Sequence, residues 1–231
     1  MSKKLITACM ALAAFAAFAV VPSLASAKPV ITHPTGTVLA TPTKITATNI
    51  GETEMVTSIG TLKCSTATLT GTLTTNSTAA GTEGTIESAT FAGTGSAIGS
   101  SDKECTGGFG NAAITPNPAT NGLPWCLEAT EANDKFNLRG GSCAEKERAI
   151  RFTIDLTVFG STLTCNYERT TAATGTLTTD TSGEDAQGGI VSQNWPAVAG
   201  NPFGCPSNGE LTMKFTLETD QETASPMYIS S

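Results

Sequence analysis

The sequence predicts an all-β protein: an antiparallel β-sandwich, or a barrel-like variant of one, with an internal duplication and three disulfides. Three observations predict it. Apolar and polar residues alternate along several stretches of a chain rich in threonine. Two segments about a hundred residues apart share the same landmarks. Six cysteines, an even number, follow a leader of export type.

The leader comes first. Met1-Ser2-Lys3-Lys4 is basic, Leu5 to Val21 is apolar with Thr7 as its one polar member, and Pro22 ends the run. Ser23-Leu24-Ala25-Ser26-Ala27 then places small residues where a signal peptidase reads them, so residues 1–27 are expected to be a signal peptide cleaved after Ala27. An uncleaved anchor is the alternative, but 17 apolar residues sit at the lower limit for a membrane span. No transmembrane segment is expected once the leader is removed. Cys9 lies inside the apolar run and leaves with it.

What remains has 11 basic and 20 acidic residues and six cysteines: Cys64, Cys105, Cys126, Cys143, Cys165 and Cys205. Zinc sites need close cysteine pairs or added histidines, and the chain has one histidine and no Cys-x-x-Cys pair, so disulfides are expected and no metal. The duplication narrows their pairing. Gly60-Thr61-Leu62-Lys63-Cys64 resembles Ser161-Thr162-Leu163-Thr164-Cys165, and Gly71-Thr72-Leu73-Thr74-Thr75 recurs as Gly175-Thr176-Leu177-Thr178-Thr179. In each unit, about 60–105 and 161–205, a second cysteine follows the first after 41 or 40 residues. These intervals predict Cys64–Cys105 and Cys165–Cys205, leaving Cys126–Cys143 as a local clasp.

Threonine supplies 40 of the 204 residues after Ala27, a composition that suits strands. Ile150 to Val158 and Leu211 to Leu217 alternate most clearly; Phe152, Phe159 and Phe215 are expected in the core and Thr153 on a solvent face. Weaker alternation marks Lys44–Thr48, Leu62–Leu73, Gly84–Phe91, Phe136–Arg139 and Leu163–Tyr167. Loops fall at Gly93–Ser101, Gly107–Gly122, Asp180–Gly189 and Gly200–Gly209, and no helix beyond one turn at Cys143–Arg148 is expected. Residues 28–42 read as a flexible N-terminal arm, and residues 43–231 as a single β-sandwich domain.

A wider pattern accompanies these elements. The leader, the strand Cys64–Gly71 ending in Leu-Thr-Gly, Leu123-Pro124-Trp125, Cys165–Tyr167 and Pro226–Ile229 together resemble secreted β-rich proteins of Gram-positive bacteria. More distantly the chain is similar to the PraB-like family, named for an activator of alkane oxidation. The second copy departs from the pattern at Tyr167–Thr171 and at Asn194-Trp195-Pro196. The resemblance implies a secreted or surface-associated β protein and carries over no catalytic residue.

Chemistry is sparse. A net charge of −7 argues against nucleic acid as a partner. His33, the single histidine, lies in the expected arm and has no acid beside it in sequence, which removes triad chemistry. No Gly-x-Ser-x-Gly elbow is present, and the glycines at 93, 95 and 99 lack the lysine of a phosphate loop. Two acidic clusters, Glu128/Glu131/Asp134 and Asp180/Glu184/Asp185, offer paired carboxylates or hard oxygen ligands but match no calcium-loop spacing. Trp125 and Trp195 are the candidates for stacking on a ligand ring. The expectation is therefore a secreted or cell-surface protein without catalytic residues or cofactor, acting structurally or by contact with cell-envelope or matrix components. A carbohydrate-binding module and an acid-pair hydrolase are the alternatives.

Overall fold

Alternation becomes strand throughout. The computed structural model describes residues 28–33, 35–93, 104–107, 110–116, 122–129, 135–158, 160–178, 186–220 and 228–230. The leader with Cys9, Phe159, Glu131, Asp134, Asp180, Glu184 and Asp185 lie outside them. Sixteen strands and no helix are found among the described residues. The first eight are β1 (Val30–Thr32), β2 (Thr43–Asn49), β3 (Thr53–Thr57), β4 (Gly60–Cys64), β5 (Thr66–Ser77), β6 (Gly81–Ala92), β7 (Cys105–Gly107) and β8 (Gly110–Pro116). The others are β9 (Trp125–Ala129), β10 (Lys135–Gly140), β11 (Ile150–Val158), β12 (Ser161–Arg169), β13 (Ala173–Thr178), β14 (Gln187–Pro196), β15 (Asn208–Thr219) and β16 (Tyr228–Ser230).

Every pairing between these strands is antiparallel, and eight of them close a ring: β2-β5-β6-β9-β10-β13-β14-β15 and back to β2. The long strand β15 also pairs through its first half with β3, from which β4, β7, β8, β11 and β12 continue as an outer sheet. A bridge from Tyr167 to Ala197, just after β14, brings the far edge of that sheet back towards the ring. That edge is covered further. Asn201 presents its side-chain amide to the backbone of Asn166, accepting from the N–H at 3.0 Å and donating to the carbonyl at 2.8 Å. It thereby takes the place of a neighbouring strand and blunts an edge that could pair with another chain.

The duplication is visible in the topology. In the first copy the hairpin β3–β4 lies in the outer sheet and β2-β5-β6 in the ring; in the second, β11–β12 and β10-β13-β14 take the same places. Register agrees: Ile45 opposes Gly71 as Phe136 opposes Gly175, and Leu73 opposes Gly84 as Leu177 opposes Gly188. The repeated glycines are required sterically. A Cβ on Gly71 would lie 2.3 Å from the Thr85 carbonyl oxygen, and one on Gly175 would lie 2.2 Å from the Phe136 ring. Bulges differ between the copies: Glu87 is the extra residue of β6 against β5, whereas Val191 and Ser192 of β14 together face Thr212 of β15.

The disulfides are Cys64–Cys105, Cys126–Cys143 and Cys165–Cys205, the pairing the intervals predict. Cys64–Cys105 ties neighbouring strands of the outer sheet, and Cys165–Cys205 fastens the loop after β14 to the edge strand β12. On loop-entropy reasoning the long bridges restrict the unfolded chain by about 4 kcal/mol each and the short one by about 3 kcal/mol.

Four expectations need correction. The loop expected over Gly107–Gly122 contains the strand β8, which pairs with β7 and β11. The segment 28–42 is not a free arm: Val30–Thr32 pairs with Tyr228–Ser230, Leu39 is buried, and the Asn76 amide clamps the backbone of Ile31. Burying Val30, Ile31 and Leu39 supplies the hydrophobic drive that holds it down. Thr153 is buried rather than wet, with its hydroxyl 2.8 Å from Asn166 Oδ1, because β12 and its covering loop crowd that face. Finally, the stretch Leu62–Leu73 is two strands. Asn49 captures the backbone of Ser65 and Ala67 where the chain crosses from the outer sheet to the ring.

Candidate functional site

Both tryptophans go to the core. Trp125 opens β9, a strand buried at all five positions, and Trp195 lies near the end of β14. They are 4% and 2% exposed, so neither ring can stack on a ligand, which corrects that assignment. Trp195 meets Phe152 edge-on at 5.0 Å, and Phe152 stacks on Tyr167 at 5.6 Å. Both rings border an apolar cavity of about 30 Å³ between the ring and the outer sheet, and neither indole N–H has a hydrogen-bond partner. Burial pushes the Tyr167 phenol up to about 12.

His33 is half-buried in a turn, its N–H donating to the Thr37 carbonyl at 2.8 Å and its own carbonyl accepting from Gly36. The turn leaves it pinned rather than swinging free.

Of the acidic clusters, Glu128 alone lies among the described residues. It sits on β9 directly opposite Glu83 of β6, an arrangement that would repel. Lys146 resolves the repulsion: its ammonium reaches both carboxylates, contacting Glu128 closely and Glu83 at 3.2 Å. Arg139 adds a contact to Glu128 at 3.3 Å. The Cys126–Cys143 clasp delivers Lys146 to this spot, and the hydrogen bond to Glu128 is the main cause holding its ammonium pKa above the usual value. Glu128, with a side chain only 10% exposed, is therefore a neutralised structural carboxylate. No cluster of three metal-ligating side chains occurs among the described residues.

Two hollows open on the exterior. One, of about 200 Å³, lies under residues 198–201 beside Arg151, which pairs with Glu168 at 2.5 Å. The other, of about 360 Å³, is a groove across β15, β2, β5 and β6. Thr46, Thr70 and Gly71 line it alongside Lys44, Glu87, Glu218 and Asp220. Sequence reading missed this groove altogether. Its acids stand 131 residues apart at the nearest crossing, from Glu87 to Glu218, and only the ring register brings them to one face.

No family model, curated protein or solved structure matches the chain. No helix among the described residues is long and apolar enough to cross a membrane, and the three disulfides are consistent with an extracellular protein.

Proposed function

We propose that the chain is a secreted or cell-surface protein without catalytic activity, released by cleavage after Ala27 and acting through contacts of its β exterior. The observation that carries this reading is the placement of its reactive-looking groups. Trp125, Trp195 and Glu128 are all committed to packing or ion pairs, while the exterior offers a threonine-lined groove of about 360 Å³. Three disulfides support an oxidising compartment. With both rings inside, the stacking argument for a carbohydrate-binding module falls away.

Expression with the leader tests the proposal. The protein is expected in the medium or on the cell surface, beginning at Lys28, with a free-thiol titre near zero. It should show no turnover on a panel of glycans, esters and peptides. Retention inside the cell, or hydrolysis abolished by Glu128→Gln, would overturn it.

A further inference from the structure

The two copies of the duplicated unit differ at one instructive place. Fixing Ile45 against Phe136 through their opposing glycines makes Thr46 the counterpart of Asn137. The neighbour of Asn137 across the next strand is Glu128, and the neighbour of Thr46 is Glu218. Glu218 is thus the positional twin of Glu128. In the second copy that glutamate holds the Lys146 ammonium, brought over by the Cys126–Cys143 clasp. The clasp segment has no counterpart in the first copy, and Glu218 faces the open groove.

The bulge points the same way. An extra residue in a strand re-aims its side chain, and the extra residue of β6 is Glu87. The residue at the same place in the second copy, Val191, is exposed and apolar, and the irregularity there faces β15 instead. In the first copy the bulge turns a carboxylate into the groove wall, steadied by the Thr72 hydroxyl, which donates to it at 3.1 Å. The groove then presents three carboxylates, Glu87, Glu218 and Asp220, against one ammonium, Lys44.

We propose that this groove is a docking site for a lysine-bearing segment of a basic partner protein, whose ammonium takes beside Glu218 the place Lys146 takes beside Glu128. The inference rests on the reading that the protein acts by contact. The internal copy supplies the ligand chemistry, a primary ammonium between carboxylates. Threonine hydroxyls along the groove provide hydrogen-bond partners for the segment's backbone. A second copy of this chain is a poor occupant, since residues 28–231 carry 20 acids against 11 bases and would repel one another.

The test titrates pentalysine into isotope-labelled protein spanning residues 28–231 and follows amide shifts by NMR. Saturable shifts centred on Thr46, Thr70, Gly71 and Glu87 are expected, weakening as salt is raised. Glu87→Gln and Glu218→Gln should each weaken binding about threefold and together about tenfold. Glu210→Gln, on β15 but outside the groove, should leave it unchanged. Equal loss from Glu210→Gln, shifts scattered over the acidic exterior, or no saturation would overturn the proposal. So would an oligomer of glucosamine that binds the groove more tightly than pentalysine, because the occupant would then be a glycan. Catalytic turnover would sink the reading above without touching the groove, whereas failed binding sinks the groove alone.

Discussion

Replacing Gly175 by alanine tests the duplicated architecture at one of the repeated glycines. The new Cβ would lie 2.2 Å from Phe136 Cζ, 2.3 Å from Cε1 and 2.5 Å from the Gly189 carbonyl oxygen. Elsewhere in a strand the change would gain about 0.5–1 kcal/mol by restricting the unfolded chain. Overpacking costs about 1–3 kcal/mol, and contacts on two sides place this site at the upper end. The net loss expected is about 2 kcal/mol, read as a lower urea midpoint at constant slope with the disulfides intact. Because half of the clash is a side chain, Phe136→Leu in the same protein should return part of it, with a coupling of about 1 kcal/mol. Gly71→Ala makes a sharper contrast. There the nearest atoms are the Thr85 carbonyl oxygen at 2.3 Å and the Ile86 Cα at 2.9 Å, both backbone, so no trimmed ring can relieve them. A neutral Gly175→Ala, or a Phe136→Leu that rescues both alanines equally, would refute this reasoning.

Two further outcomes follow from the ionisable groups. Tyr167 keeps its proton to about 12 in the fold but to about 10 when unfolded, so stability should be constant well below pH 10 and fall by about 2 kcal/mol as pH rises to 12. Lys146, also raised, works in the same direction; urea midpoints between pH 8 and 11.5 should show a shallower decline in Tyr167→Phe, and an unchanged decline would remove Tyr167 from the account. Lys146→Met should cost about 1–2 kcal/mol, below the 3–5 of a fully buried pair because Lys146 is two-fifths exposed and Arg139 stays with Glu128. Adding Glu83→Gln should recover part of that loss, and a silent Lys146→Met would mean that the facing glutamates need no cation.

The strands that alternate cleanly, β11 and β15, and the cysteine pairing were legible because each is written in local spacing. Trp125 was not, since β9 is buried at every position and shows no alternation to reveal which way its ring turns. The docked segment was hidden for a different reason. Val30 to Thr32 is too short to carry a pattern, and its partner strand lies at Tyr228–Ser230, at the other end of the chain. Thr153 looked like a solvent position by parity alone, yet parity assigns a face without saying what covers it. The groove depended on register between β15 and β2 and on a bulge, and one extra residue in a strand leaves no mark in composition or periodicity.

The strand β15 belongs at once to the ring and to the outer sheet, and it comes late in the chain. Its contact with β2 joins Leu217 to Ala47, and its contact with β3 joins Leu211 to Met55. Local hairpins such as β5–β6 can form early, but neither hoop can shut until the keystone arrives. A chain emerging amino end first must therefore carry unpaired edges on β2 and β3 through most of its appearance, and its folding rate is governed by one long-range closure rather than by its many short turns.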